Sequence, residues 1–391
     1  MRRTDQDRAG TIGTIDVEAS EFWNRRGMRT DPSQVAAAPG APLLLLAVLA
    51  AVGGGVLLPR PSSAWYGPQA RLLGRPVRGV PVPAECGGVP DPFALLETVR
   101  RARAEGEEPR LLVLSVADDV TGTAAPPELL HEVCEAAAGE GLVLVSDESW
   151  RDTSHSPHDT VTVSPVEMLE GTPHAESVVV LVGLGAALLS PGLHAGVARF
   201  PARGRGRALG EEVREVLAAL HTELSDPVAA AAAEALSEPE EERRRRAEAA
   251  RLHGERGAAL CAAVTAAGAL CRPPHAGRHL YADLEQARAL LAARGITDAA
   301  GLEAELVRRL GPYADGGHRF GDDPRALRVR LATDVLATDV LGTDVRAAVA
   351  TSRPTTQDGR VTEESPGTAG ALGRVQSVLA DLTDLTDGSP Q

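Results

Sequence analysis

The pattern of apolar residues in this chain predicts an α/β protein with a mostly parallel sheet, followed by a smaller α+β region. Three observations carry that expectation. Leu111–Val116 (LLVLSV), Leu142–Ser146 (LVLVS) and Ser177–Leu184 (SVVVLVGL) are apolar runs of strand length, the signature of strands buried on both faces of a sheet. Pro127–Ala138 lies between the first two and places Leu129, Leu130 and Val133 at helical spacing, so strand, helix and strand alternate as parallel crossovers require. After Pro227 the pattern turns helical and then mixes strands with helices, which marks a second region.

Taken in order, residues 1–34 read as a short N-terminal segment and 35–238 as the large α/β domain. Residues 239–335 read as an interdomain helix and a small domain, and 336–391 as a low-complexity tail. Ala41 to Leu58 is apolar or glycine apart from Pro42 and about as long as a bilayer needs. Gly53-Gly54-Gly55 splits it into a helix (Leu43–Val52) and a strand (Val56–Leu58), so a buried helix, turn and strand is expected, with no membrane span. Ala229–Leu236 and Glu240–Ala267 read as helices, the second opening with Glu240-Glu241-Glu242 ahead of Arg243–Arg246. Acid-first pairs three and four apart support a solvated helix face. Strand signals at His279–Asp283 and Ala326–Ala332 alternate with helical ones at Leu284–Arg294 and Ala299–Leu310. The unit ATDVL-ATDVL-GTDV over Ala332–Val345, and the polar composition beyond it, predict a poorly packed tail.

The chain's 391 residues suffice for two domains. With 43% hydrophobic and 24% charged residues it is globular in composition. A net charge of -14 repels phosphate backbones and argues against nucleic acid as a partner. All 40 basic side chains are arginine, and no lysine occurs anywhere. Cys86, Cys134, Cys261 and Cys271 show no CxxC spacing and no histidine pattern for zinc. They read as core thiols of a reducing compartment, and no metal site is expected. The first thirty residues lack the apolar run of a signal peptide, so a cytoplasmic protein is expected.

Three stretches carry a resemblance. Ser146-Asp147-Glu148-Ser149-Trp150-Arg151-Asp152 directly follows a predicted strand. Asp119-Val120-Thr121-Gly122-Thr123 follows the strand before it. Leu58-Pro59-Arg60-Pro61-Ser62-Ser63-Ala64-Trp65-Tyr66 is a proline-rich turn ahead of a Gly-Arg-Pro-Val strand. In order and spacing they resemble the SDE-x-Y-x-D, NPTGT and proline-rich segments of class I/II aminotransferases, over about residues 17–335. Arg25–Gly27 and Phe320–Asp323 fit the same pattern. The resemblance implies a fold-type I large domain with a mostly parallel sheet, a small C-terminal domain, and a dimer with sites at its interface. It also implies pyridoxal phosphate as cofactor and an amino acid or keto acid as substrate. Asp147 would meet the pyridine nitrogen, where a carboxylate strengthens the ring as an electron sink. Asp119 stands for the asparagine near the ring oxygen; Trp150 would line the cofactor, and either Trp65 or Tyr66 would lie near it. Arg328, on the same strand face as Arg330, would grip the substrate carboxylate in a bidentate pair.

The departures from the family are as telling. Aligning Gly183, Gly192 and Gly196 with the family's G-x-SK-x₅-G-x-R-x-G places Ala186 at the cofactor-binding lysine, His194 at the phosphate-binding arginine and Gly185 at a serine. Ala41 stands where the helix that cradles phosphate usually offers a hydroxyl. The family's N-terminal arm and substrate loop have no counterpart before residue 17. A lysine acts there as nucleophile and base, which alanine cannot do, so no catalytic residue is expected among those aligned. Three functions remain open: an inactive or impaired homologue, an enzyme with a histidine base and a non-covalently held cofactor, or a non-catalytic subunit paired with an active homologue. A homodimer or such a mixed dimer is expected.

Overall fold

The computed structural model describes residues 5–83, 86–337 and 366–383. The chain divides into two compact units, Met1–Arg251 with His275–Gly277, and Leu252–Pro274 with Arg278–Gln391.

The first unit runs α1 (Asp5–Asn24), β1 (Val35–Ala38), α2 (Ala41–Val52), β2 (Gly55–Arg60), α3 (Tyr66–Leu72), β3 (Val77–Pro81), α4 (Pro92–Ala104), β4 (Pro109–Ser115), α5 (Pro127–Gly139), β5 (Val143–Asp147), α6 (Pro165–Met168), β6 (Val178–Gly183), β7 (Gly196–Arg199), α7 (Gly204–Ala219) and α8 (Asp226–Ser237). α9 (Glu240–Ala266) starts in this unit and ends in the second. The seven strands form one sheet in the order β1-β7-β6-β5-β4-β2-β3. Neighbours pair in parallel from β6 through β3, and β7 pairs antiparallel with both β1 and β6. The three apolar runs become β4, β5 and β6, whose residues Leu112, Val113, Val145, Val180 and Leu181 are buried.

The apolar stretch after residue 40 folds as helix, turn and strand. Leu44, Leu45, Val48 and Leu49 of α2 are all buried, in a helix that packs against α7, β6 and β7. A helix apolar all round is one covered on every side, and among the described residues none is long and apolar enough to cross a membrane. The turn depends on glycine. Gly54 has φ +68°, and a β-carbon there would lie 2.8 Å from the carbonyl oxygen of Glu108. Helix starts carry their own signals: Asp91 accepts hydrogen bonds from the amides of Phe93 and Ala94 at 2.9 and 3.1 Å ahead of Pro92, satisfying donors that the first turn of α4 leaves open.

The second unit contains β8 (Leu270–Cys271), β9 (His279–Asp283), α10 (Arg288–Ala293), α11 (Ala299–Leu310), β10 (Ala314–Gly316), β11 (Arg328–Ala332) and a last helix, α12 (Pro366–Thr383). Its four strands form an antiparallel sheet in the order β10-β11-β9-β8. Two expectations are corrected here. The helix expected over 284–294 breaks into a 3₁₀ turn at Glu285–Ala287 followed by α10; Asp283 accepts from the Glu285 amide at 2.8 Å and favours a turn over a helical start. The tail is not uniformly unpacked. Residues 338–365, which include most of the repeat, lie outside the described residues, but Val335 and Leu336 are buried. Within α12, Ala371, Val375, Val378, Leu379 and Leu382 are buried in the core of this unit. Their spacing makes one apolar stripe, which composition averaged over the whole tail conceals.

Candidate functional site

The carboxyl ends of β2, β4, β5 and β6 lie side by side in the sheet, the place where open α/β sheets bind ligands. Asp147 is the last residue of β5 and is buried, 6% exposed. Its Oδ2 accepts a hydrogen bond from the Tyr66 hydroxyl at 2.6 Å. Its Oδ1 accepts from the Ser149 amide at 3.0 Å and the Ser149 hydroxyl at 2.5 Å. Ser149 Oγ in turn accepts from the Gly183 amide at 2.7 Å. Asp147 thus ties α3, β5 and the end of β6 together. Burial, with the Asp147 carboxylate beside it, holds the Tyr66 phenol well above its ordinary range, so Tyr66 remains a donor.

The turn after β4 brings Asp118 and Asp119 to the same edge. Asp118 is buried and accepts from the Val120 amide at 2.7 Å; burial, and then the neighbouring Asp119, push its carboxyl up to about 7. Asp119 accepts from the Ser63 hydroxyl at 3.1 and 3.2 Å. Gly122, at φ +71°, closes the turn, and its carbonyl accepts from the amides of His275 and Ala276 at 2.7 and 3.0 Å. Trp150 is half-buried and packs on Gly277, where a β-carbon would lie 3.5 Å from its ring. Trp65 stacks edge-on against Tyr66, with ring centroids 4.5 Å apart. Glu148, one residue beyond Asp147, accepts from Ser164, Arg151 and Ser146 at 2.5, 3.0 and 3.2 Å. Burial raises its carboxyl against the pull of Arg151.

The residues past β6 offer much less. Ala186 ends a short 3₁₀ turn, Leu184–Ala186, and is half-buried. His194 is exposed. The amino end of α2 presses directly on β7: a β-carbon on Gly196 would lie 2.6 Å from the Ala41 nitrogen, and one on Gly183 would lie 3.2 Å from the Ala41 β-carbon. α2 has Gly40 as its cap with no side-chain hydrogen bond, and Pro42 supplies no amide hydrogen. Of Trp65 and Tyr66, the two alternatives near the ring, Tyr66 is the one whose hydroxyl donates to Asp147. Sequence reasoning missed Ser149 as the second donor to Asp147 and Ser63 as the partner of Asp119. The first had a usable signal, since a serine two residues after an aspartate can bond back to it.

In the second unit, Arg328 and Arg330 share one half-exposed face of β11, as alternation predicts. Arg328 already faces two carboxylates. Its Nε donates to Asp283 at 2.8 Å, and one terminal nitrogen donates to both oxygens of Asp322 at 2.9 and 3.1 Å. Tyr281 also donates to Asp322, at 3.0 Å. Arg330 pairs with Asp315 at 2.8 Å and lies 4.6 Å over the Phe320 ring.

Residues 16–335 match the family described as aminotransferase class I and II. The chain belongs to that family. An aspartate aminotransferase of Thermus thermophilus, solved as a tetra mutant, superposes with a TM-score of 0.72 at 20% identity, covering 94% of this chain and 86% of that one. N-succinyldiaminopimelate aminotransferase from Mycobacterium tuberculosis superposes with a TM-score of 0.71 at 20% identity, covering 94% and 83%. These likenesses establish the fold-type I α/β architecture with its seven-stranded, mostly parallel sheet. The glutamate–glyoxylate aminotransferase 1 of Arabidopsis thaliana is 28% identical over 175 residues, 42% of this chain, and the match spans about a third of that relative's length, 35%.

This family depends on pyridoxal phosphate, which asks three things of a site: a carboxylate for the ring nitrogen, an amine for the aldehyde, and donors or cations for the phosphate. Asp147 meets the first, with both of its oxygens already accepting hydrogen bonds. The second has no candidate lysine in the sequence. The third has the backbone of α2 but no hydroxyl at Ala41 and no guanidinium at His194. The residues present do not fit a covalently held cofactor.

Proposed function

We propose that this aminotransferase-family chain is catalytically silent as a transaminase, an inactive or impaired homologue that keeps the fold without covalently held pyridoxal phosphate. The observation that carries this reading is Ala186 on the 3₁₀ turn that follows β6, in a chain without lysine. Removing the nucleophile and base also removes the acid–base contribution, worth about 10² to 10⁴ in rate. In this reading Asp147, Asp119, Trp150, Trp65 and His194 border the former cofactor position, and Asp147 serves mainly as a structural tie. Arg328 stands at the former substrate-carboxylate position; Asp283 and Asp322 now offset its charge. The amino-acid or keto-acid partner of the family therefore has no reaction to enter here. The protein works in the cytoplasm as a homodimer, or as the non-catalytic half of a mixed dimer with a lysine-bearing homologue.

The test is spectroscopic and covalent. Purified protein is incubated with pyridoxal phosphate, reduced with borohydride and digested for mass analysis. The expected result is no pyridoxyl adduct on any internal side chain and complete loss of the cofactor on dialysis. A stoichiometric internal adduct, or turnover of any amino acid–keto acid pair at ordinary aminotransferase rates, would falsify the reading. Co-purification with a lysine-bearing homologue decides between the two dimers.

A further inference from the structure

Along the edge strand β1, well apart in the sheet from the strand ends that bear Asp147, a cavity of about 270 Å³ opens between α1, β1, α7 and the start of α8. It shares no lining residue with the crevice described above. Ile15, Val35, Leu217 and Ala229 give it apolar walls, and all four are buried. Asp16 from α1 and Arg214 from α7 stand opposite in charge in this lining. Asp16 Oδ1 is shut off from solvent and has no hydrogen-bond partner. Arg214 spends one terminal nitrogen on the Val35 carbonyl at 3.2 Å. Among the described residues no ion pair joins Asp16 to Arg214, although the guanidinium lowers the carboxyl through its field. Burial outweighs that pull and pushes Asp16 up to about 7.

Asp16 is half-buried, and a carboxyl oxygen closed to water without a donor, as its Oδ1 is, costs roughly 1–3 kcal/mol. A guanidinium carries five N–H donors, and a single carbonyl leaves most of them for another acceptor. The cavity is therefore lined by a carboxyl and a guanidinium with spare donors that do not satisfy each other, beside apolar walls. Its volume is just below the range of about 300–1,000 Å³ typical of drug-sized ligands, so the occupant is smaller. Glu223 and Asp226 also line it and set a negative rim against a second anionic group.

We propose that this cavity binds a small zwitterionic amino acid with an uncharged side chain, its ammonium group on Asp16 and its carboxylate on Arg214. The apolar walls receive the side chain, and the acidic rim turns away dicarboxylic amino acids. The site works without cofactor chemistry and does not depend on whether the crevice retains any.

The experiment titrates the full chain by calorimetry with L-leucine, L-alanine and L-glutamate. Isopentylamine and 4-methylpentanoate, which carry only one of the two charged groups, are the controls. L-Leucine or L-alanine is expected to bind saturably at one site, with L-glutamate and both single-charge analogues weaker by roughly tenfold or more, as the loss of one charged hydrogen bond implies. Asp16→Asn and Arg214→Gln should each weaken L-leucine by roughly the same factor. The first is isosteric, and the wild-type ligand comparison stands even if a variant fails to fold. Three results would overturn the proposal: no saturable binding of any of these amino acids, binding undiminished in both folded variants, or the amine alone binding as tightly as L-leucine.

Discussion

Replacing Tyr66 with phenylalanine removes one oxygen from the floor of the crevice and leaves the ring in place. The Tyr66 hydroxyl is buried and donates to Asp147 Oδ2 at 2.6 Å, with Ser115 Oγ at 3.2 Å. A hydrogen bond to a charged group contributes about 1.5–3 kcal/mol, and an acceptor left without its donor inside the protein loses that much on truncation. Asp147 keeps its two bonds from Ser149, which places the expected loss toward the lower end. For a unit of about 250 residues each kcal/mol moves the melting temperature by about 2–4 °C, so Tyr66→Phe should lower it by about 3–8 °C. The assay is already in the sequence: Trp23, Trp65 and Trp150 are the only tryptophans and all lie in the first unit, so their fluorescence reports its unfolding. A double-mutant cycle with Asp147→Asn isolates the pair and should return a coupling of about 1 kcal/mol or more. A coupling indistinguishable from zero would refute the view that Asp147 is held as a structural tie.

Three further outcomes are expected. Leu379→Ala in α12 should destabilise the second unit by about 2–5 kcal/mol, since Leu379 is buried at 1% exposure; near-ultraviolet dichroism of Tyr281 and Tyr313 checks it, and an unchanged midpoint would mean the helix does not pack there. Burial raises the Asp118 carboxyl in the folded state from the ordinary aspartate range to about 7, so the folded state holds the proton more tightly than the unfolded chain. Its effect on stability is nil below about pH 4 and grows more unfavourable as pH rises to about 7, by a few kcal/mol at about 1.4 per unit; Asp118→Asn should flatten that slope in urea midpoints measured across the range. Ala186→Lys alone should yield at most a weak borohydride-stable pyridoxyl adduct and little transamination, whereas adding His194→Arg, Gly185→Ser and Ala41→Ser should strengthen the adduct; full turnover from the single change would mean that only the lysine had been lost.

The large sheet was legible because its strands are buried on both faces and so read as plain apolar runs, with β4, β5 and β6 lying within two residues of where the pattern puts them. Asp147 was legible for a related reason: a carboxylate directly after such a run must stand at a strand's carboxyl end. The partners of these residues were harder to see. Ser63 and Asp119 are 56 residues apart in the chain and meet only because β2 and β4 are neighbours out of sequence order. The cavity at Asp16 depends on α1, α7 and α8 converging on β1, which no local pattern encodes. α12 was hidden by averaging, since five apolar residues in one stripe disappear in a polar tail. Arg328 was placed on the correct strand and face, but its two carboxylate neighbours come from β9 and from the turn before β11.

Packing and candidate chemistry reside in different places in this chain. Burial sits in the interior of the strands, at residues such as Val113, Val145 and Val180, whereas the family's reactive side chains project from the strand ends, where little packing depends on them. Ala186 lies on a half-buried turn beyond β6, so a change of side chain there costs almost no core. Asp147 has the opposite standing. Tyr66 and Ser149 fill both of its oxygens, and Ser149 passes the connection on to Gly183, so losing that carboxylate would leave the Tyr66 hydroxyl and the Ser149 amide and hydroxyl without the acceptor they now share. Selection for folding alone is then enough to keep Asp147. Retention of the aspartate is consequently no argument for retained catalysis, and the Tyr66–Asp147 coupling, measured without any cofactor, is the quantity that separates the two explanations.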